Sequence, residues 1–226
     1  YGKEGEIDMK AMLIKDWKLM KGQKQFIFIL CIFLAVFGAT SNNLGFLISY
    51  MTFMATVFSI STISYDEYNN GMVYLLALPI SRRKYVEEKY LFCLLTSLIV
   101  SVVSLIVTLG IGIVRSTNAT SEDLVISAAA ALGIGVLICG FMLPIQLKFG
   151  PEKSRIAMAV MGAAIFAIVY VMVWIGKRMG TDMENVLQNF NNLSEGVVAV
   201  SAVVICLAVL LISMFISVHV MEKREF

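Results

Sequence analysis

The chain has 226 residues, of which 59% are hydrophobic and only 15% are charged, and its mean hydropathy is +0.84. Because an ordinary soluble domain carries roughly a quarter of charged residues, this composition excludes a soluble globular protein and requires lipid to cover much of the surface. The formal net charge of +2 is small, and no nucleic-acid partner is expected. The length suits one membrane domain and has no room for a separate soluble enzyme.

The beginning of the chain is polar and is followed by an amphipathic segment. Residues 1–8 do not resemble a signal peptide, so we expect an artificial or disordered leader there and a single transmembrane domain over residues 9–226. The segment from Met9 to Lys24 alternates apolar and polar residues at helical spacing and predicts a helix lying at the membrane interface. The residues expected to anchor this helix at the lipid headgroups are Trp17, Lys15 and Lys18.

Six apolar stretches predict an all-α membrane protein with six transmembrane helices. A helix needs about 20 residues to cross the hydrocarbon core, and none of the six stretches contains Asp, Glu, Lys or Arg. Pro144 is expected to kink or end the fourth helix. The predicted spans are residues 25–42, 44–64, 90–114, 124–147, 156–176 and 197–218.

The distribution of basic residues predicts the orientation of the chain. If the N-terminus is cytoplasmic and the spans alternate, only three of the 18 Lys and Arg residues lie outside, namely Arg115, Lys177 and Arg178. The positive-inside rule favours this arrangement over its opposite. We therefore expect both termini in the cytoplasm of a multi-pass protein. The external segment 177–196 is expected to contain a short amphipathic helix, either a lid or a passive interfacial element.

The chemistry-bearing residues give no catalytic arrangement. No phosphate-binding loop or metalloprotease motif occurs, so we predict no enzyme activity, no catalytic or metal-binding residue, and no cofactor in this chain. The spans lack the charged residues that ion-driven transporters use, so energy for transport must come from outside. The four cysteines form no CxxC pair and are expected to be buried thiols without disulfide or zinc; they are Cys31, Cys93, Cys139 and Cys206.

The predicted cytoplasmic loop between spans two and three contains an apolar run from Met72 to Ile80, which is too short to span the membrane. Acidic residues precede the run and basic residues follow it, which matches the dipole of a helix, and Pro79 is expected to end it. A short apolar helix at a surface must contact either the membrane or another protein.

Two motifs stand out in the predicted cytoplasmic segments. The first consists of Asp66, Glu67, Gly71, Leu75, Leu76, Leu78, Pro79, Ile80, Ser81, Arg82, Tyr85, Val86 and Lys89. The second consists of Pro144, Lys148, Phe149, Gly150, Glu152, Lys153 and Arg155. The two motifs resemble those of ABC-2-type transporter permeases, and the second is similar to that of a subgroup that includes the permeases of bacterial exporters of phenol-soluble modulins, which are amphipathic peptides.

The resemblance implies a permease domain that pairs with itself or with a sister permease and binds two ATPase subunits, which would hold ATP and Mg. The helix between spans two and three, about Gly71 to Leu78, would be a coupling helix. Its implied ATPase contacts are Asp66, Glu67, Gly71, Met72, Tyr74, Leu75, Leu76, Leu78, Pro79 and Arg82. A second, smaller cytoplasmic contact would comprise Lys148, Phe149, Gly150, Glu152, Lys153 and Arg155.

The function expected from these observations is that of the membrane subunit of an ATP-driven exporter in the bacterial cell membrane. The uncharged spans favour a hydrophobic or amphipathic cargo, with a peptide toxin as the leading candidate, in contact with membrane lipid. One alternative is a channel or gradient-driven transporter that needs no ATPase. Another is a non-transporting membrane protein, such as an immunity or sensor subunit.

Overall fold

The fold is given by a computed structural model that describes residues 2–41, 43–68, 71–77, 80–115, 120–178 and 195–224, with side chains except at 2–8, 26, 76, 195–199 and much of 151–178. The described residues form seven helices and no strand, which confirms the predicted all-α class. The helices are α1 (Gly2–Gly22), α2 (Lys24–Thr40), α3 (Leu44–Glu67), α4 (Gly71–Leu76), α5 (Arg82–Arg115), α6 (Ser121–Arg178) and α7 (Glu195–Lys223).

Among the described residues, four helical segments are long and apolar enough to cross a membrane. The helices α1 and α2 meet the same criteria together, as Met9–Gly22 and Ile27–Thr40 bent by 64°. The predicted span 156–176 lies where most side chains are outside the described set, so the total of six spans stays a prediction. The four segments are Leu44–Glu67, Arg82–Arg115, Ser121–Gly150 and Val200–Lys223.

Two of these helices continue beyond their apolar stretches into charged sequence. Helix α3 runs to Glu67 rather than ending near residue 64, and α5 begins at Arg82 rather than near residue 90. Helices continue where the side chains of the extra turns pack against neighbours, and the buried side chains of the extra turns here are Asp66, Tyr85, Val86, Glu88 and Lys89. The membrane-crossing helices therefore carry acidic and basic residues at one end. The predicted spans, which contain no charged residue, did not include these turns.

Helix α6 breaks at Gly150 and not at Pro144, where a kink was expected. Gly150 has φ +73° and ψ 176°, and it is the non-helical residue within this helix. The positive φ is accessible to glycine at little cost, and the extended ψ is what a residue preceding proline favours. The following Pro151 then begins the second arm of α6, where its missing N–H is not required.

The main hydrophobic core gathers at the end of the bundle where α3 ends and α5 begins, which we call the α4 end. Buried side chains from α1, α3, α4, α5, α6 and α7 meet there, so every one of these helices contributes to a single packed cluster. Partly buried Leu75 and Ile80 pack against it. The buried members are Met12, Ile60, Ile63, Met72, Tyr85, Val86, Tyr90, Cys93, Cys139, Leu143, Leu147 and Met221.

Buried hydroxyl groups line the contact between α3 and α5. The hydroxyls of Thr56 and Ser97 lie 2.8 Å apart, and Ser59 bonds Thr96 one turn further along. Helix α6 approaches this contact closely, because a Cβ built on Gly135 would lie 3.0 Å from the Thr56 hydroxyl. Small and hydroxyl-bearing residues are typical of helix contacts within membranes.

The cysteines correct one expectation. Cys93 of α5 and Cys139 of α6 form a disulfide, with their Cα atoms 6.8 Å apart, which lies within the usual range for such bridges. Their separation of 46 residues in sequence gave no local signal of the pairing. The expectation of buried thiols is also wrong for Cys31, whose free thiol is on the surface, while the free Cys206 is half-buried.

Candidate functional site

Helix α4 presents one face to the core and the other to the outside. Met72 is 2% exposed and Leu75 packs beside it, whereas Tyr74 on the opposite face is 75% exposed. Val73 is also exposed, and with Tyr74 it forms what we call the outer face of α4. A helix of six residues would not be stable alone, so α4 depends on the packing of its buried face against the bundle.

The junction between α3 and α4 requires a glycine. A Cβ built on Gly71 would lie 2.7 Å from the backbone oxygen of Asp66, a distance that real Cβ atoms do not reach. The observed helix ends at Leu76, two residues before the predicted end. The side chain of Leu76 and the whole of Leu78 and Pro79 lie outside the described residues.

At the same end of the bundle, four charged side chains from three helices form a closed ring. Lys15 of α1 lies 2.5 Å from Asp66 of α3 and 3.2 Å from Asp16 of its own helix. Lys89 of α5 lies 2.7 Å from Asp66 and also contacts Asp16. We call Lys15, Asp66, Lys89 and Asp16 the ionic ring. It contains two ammonium groups and two carboxylates in alternating order, so it is neutral.

Two hydroxyl groups add hydrogen bonds to the ring. The Tyr85 hydroxyl donates to Oδ2 of Asp66 at 3.0 Å, and the Thr62 hydroxyl donates to Oδ2 of Asp16 at 3.3 Å. Asp16 and Lys89 are buried and Asp66 is nearly so. Charges removed from water to this extent are retained only when paired and hydrogen-bonded. The ring therefore fixes α1, α3 and α5 relative to one another.

The ring changes the interpretation of two predicted residues. Asp66 was expected to flank the partner contact, but its carboxylate points inward and is occupied by Lys15, Lys89 and Tyr85. Lys15 was expected to anchor the interfacial helix, and its ammonium instead reaches the ring. The reason is that α1 packs against α3 and α5 rather than lying apart from them. Trp17 and Lys18 are exposed, and their contact with lipid stays a prediction.

A second set of contacts closes the bundle at the same end. Arg224, just after α7, binds Oε1 of Glu67 at 2.6 Å and the backbone oxygen of Leu147 at 2.8 Å. Arg82, at the start of α5, donates to backbone oxygens at the end of α7, which have no partner within their own helix. We call these contacts of Arg82 and Arg224 the C-terminal clasp. Arg82 and Glu67 were predicted partner contacts, and both side chains serve this internal link.

The second predicted contact, around the break in α6, lies beside the clasp. Lys148 and Phe149 are exposed, and the Lys148 ammonium lies 5.3 Å from the centre of the Phe149 ring. Gly150 is buried close to Glu67, since a Cβ on it would lie 2.8 Å from Oε2 of that residue. Lys153 is exposed. The side chains of Glu152 and Arg155 lie outside the described residues.

The sequence-based prediction missed Asp16, Glu88, Lys89 and Arg224 as structural charges. A signal existed in the spacing, because Met12 and Asp16, and likewise Tyr85 and Lys89, stand four residues apart on one helical face. A charge that shares a face with large apolar residues is a candidate for burial. What the arrangement can do is mechanical, since the ring links α3 to α1 and α5, and the clasp links α7 to α3 and α5.

Comparison with known proteins agrees with this architecture. Residues 11–222, almost the whole chain, match a family model described as ABC-2 family transporter protein. No curated protein and no solved structure matches the chain.

Proposed function

We propose that this chain, which belongs to the ABC-2 family of transporter proteins, exports an amphipathic or hydrophobic cargo using the energy of a separate ATPase. Family membership makes it a permease component of an ABC transporter, with an ABC ATPase as its working partner. The export direction, the peptide nature of the cargo, the two ATPase copies and the pairing of permeases are the proposed parts.

The observation that carries the proposal is the two-faced packing of α4. An exposed helix face that carries Tyr74 and Val73 is suited to a protein groove, because aromatic residues supply much of the energy of protein interfaces. The opposite face of α4 is locked into the core by Met72, which is almost fully buried. A partner that pulls on the outer face therefore moves the bundle and not a loose loop.

The route from α4 into the bundle runs through the ionic ring and the C-terminal clasp. Asp66 and Glu67 lie in the last turn of α3, directly before α4, and each binds a cation from another part of the chain. When the ATPase dimer closes on ATP, α4 would follow, and the tilt of α3 would be transmitted to α1, α5 and α7. This is a rigid-body transition of the kind that packed helices support.

The nature of the cargo is supported by composition. The exposed surfaces of α5 and α7 are rich in Leu, Ile, Val and Phe, which disfavours a sugar or a metal ion as cargo. The likeness of residues Pro144 to Arg155 to the peptide-exporter subgroup adds support for an amphipathic peptide. The ionic ring is the observation that favours the ATPase-independent alternative, since ion-driven transporters use buried charges, but its members neutralise one another.

Substitution of Tyr74 tests the proposal. The chain is co-expressed with a candidate ABC ATPase, and co-purification and peptide-stimulated ATP hydrolysis in nanodiscs are measured. Tyr74→Ser is expected to weaken ATPase binding about 10- to 100-fold, as the loss of an aromatic anchor does, without unfolding the bundle. Leu75→Asp is a poorer test because Leu75 packs against the core.

The matched control is Tyr170→Ser, which removes an equally exposed tyrosine from the second arm of α6 and is expected to leave ATPase binding unchanged. The proposal is wrong if Tyr74→Ser binds the ATPase and supports stimulated hydrolysis like the wild type. It is also wrong if the purified chain moves peptide across vesicles without any ATPase.

A further inference from the structure

Glu88 is a buried carboxyl group without a hydrogen-bond partner in the part of the chain that the structure describes. It lies in α5 next to Lys89, its side chain is 0% exposed, and neither carboxyl oxygen has a hydrogen bond. The ammonium of Lys89 is 3.9 Å from Oε2, at the outer limit of an ion pair. An ionised carboxylate removed from water in this way is strongly unfavourable.

The surrounding charges do not compensate Glu88. Lys89 already lies between Asp66 and Asp16, and Lys15 contacts the same two carboxylates. The ionic ring is neutral, so an ionised Glu88 would give three carboxylates against two ammonium groups in a site closed to water. The excess negative charge would lie beside two other carboxylates, which disfavours it further.

The other elements at this end add ionisable groups that are committed to other contacts. The hydroxyl of Tyr85 donates to Asp66, and Tyr90 of α5 bonds Ser213 and Ser217 of α7. Glu67 of α3 is bound by Arg224. Within the described part of the chain, the charges that face Glu88 are thus Lys15 and Asp16 of α1, Asp66 of α3 and Lys89 of α5.

We propose that Glu88 is a proton-binding site that is occupied while α1 is packed against α3 and α5. When α1 separates and water enters, the carboxyl O–H bond breaks, the proton passes to bulk water, and a hydrated carboxylate remains. Packing of α1 takes the proton up again. This proposal concerns the docking of α1 and does not depend on the cargo or on the ATPase.

The stability of packed α1 is expected to fall as the pH rises. Raising the pH favours the ionised carboxylate, which the packed state cannot accommodate, so packed α1 loses stability as the solution becomes alkaline. Mild acidification keeps Glu88 protonated and the packing intact. Stronger acid protonates Asp66 and breaks the ionic ring, which gives a second loss at low pH.

Two measurements on the purified full chain in nanodiscs test the proposal. Infrared difference spectra between mildly acidic and mildly alkaline buffer report the carbonyl stretch of a protonated carboxyl group. Trp17 of α1 reports docking, because it lines an apolar groove of about 270 Å³ with Phe92 and Leu95 of α5. A Trp174→Phe background leaves Trp17 as the single tryptophan, since the chain has two.

Glu88→Gln is the test variant, because its neutral amide resembles the protonated carboxyl group. The control is Glu87→Gln, which changes the neighbouring residue, whose carboxylate pairs with Arg83 at the surface. The wild type and Glu87→Gln are expected to lose about 5 °C or more of melting temperature in alkaline buffer, with a red shift of Trp17 emission. Glu88→Gln is expected to show neither change and to lack the carbonyl band.

The proposal is overturned if the wild type shows no carbonyl band, if the band persists in Glu88→Gln, or if Glu88→Gln keeps the pH dependence of the wild type. A bound cation in place of the proton would give a carboxylate band instead and would also overturn it. Should the Gln amide not be accommodated, Glu88→Met keeps the volume without a polar atom, and the proposal requires it to fold and to be insensitive to alkaline pH.

Discussion

The ammonium of Lys89 lies 2.7 Å from a carboxylate oxygen of Asp66, so that the second turn of α5 is bound to the last turn of α3. The two residues stand on either side of the loop that carries α4. Because both are buried, this contact is shielded from solvent and from salt. The Tyr85 hydroxyl, also on α5, donates to the same carboxylate, so α5 binds Asp66 through two side chains.

Lys89→Met is expected to destabilise the chain by about 3–5 kcal/mol, since it removes one ammonium of the buried ring and leaves two carboxylates to share the ammonium of Lys15. Unfolding in mixed micelles measures the loss. Adding Asp16→Asn to Lys89→Met removes the uncompensated negative charge and is expected to restore part of the stability. A single variant within about 0.5 kcal/mol of the wild type would contradict the structural role of the ring.

Arg82→Ala is expected to cost roughly 2–3 kcal/mol, because a charged donor to the carbonyls at the end of α7 is lost. Arg82→Lys should recover little, since a single ammonium does not reproduce the planar fork of the guanidinium. The neighbouring Arg83, which is largely exposed and pairs with Glu87 on its own helix, is the matched control, and Arg83→Ala is expected to cost about 0.5 kcal/mol or less. Amide hydrogen exchange in the last turn of α7 is expected to be faster in Arg82→Ala than in Arg83→Ala. Equal protection of these amides in both variants would argue against the clasp.

Much of the fold could be predicted from hydropathy, because a single long apolar segment in lipid satisfies all its backbone hydrogen bonds internally only as a helix. The buried ion pairs of Asp66 could not be predicted from the sequence. Acidic residues before an apolar run are compatible either with a partner contact or with an ion pair to a residue far along the chain. Lys15, the partner of Asp66, is 51 residues away, on a helix whose polar face suggested headgroup contact. Long-range pairing of charges depends on how helices pack, and single-sequence periodicity carries no information about that.

The hydroxyl pair of Thr56 and Ser97 is expected to contribute little despite its burial. Interhelical hydrogen bonds in membranes average about 0.6 kcal/mol, since the unfolded chain also finds partners. Thr56→Val is therefore expected to cost roughly that amount more than Thr108→Val, which removes a hydroxyl bonded only within α5. A difference above about 2 kcal/mol in unfolding free energy would show that this contact, rather than the ionic ring, holds α3 to α5.

The break in α6 gives the sharpest test of the arrangement beside the clasp. Gly150→Ala is expected to cost about 1–3 kcal/mol, because alanine is strained at positive φ and its Cβ would lie 2.8 Å from Oε2 of Glu67. Gly162 lies in the second arm of α6 with nothing within 4 Å of an added Cβ, so Gly162→Ala is expected to be neutral or to stabilise by up to about 1 kcal/mol. Unfolding of both variants in the same detergent compares them directly. If Gly150→Ala is as well tolerated as Gly162→Ala, the helix does not break at this residue, and Glu67 and Arg224 are not held against it.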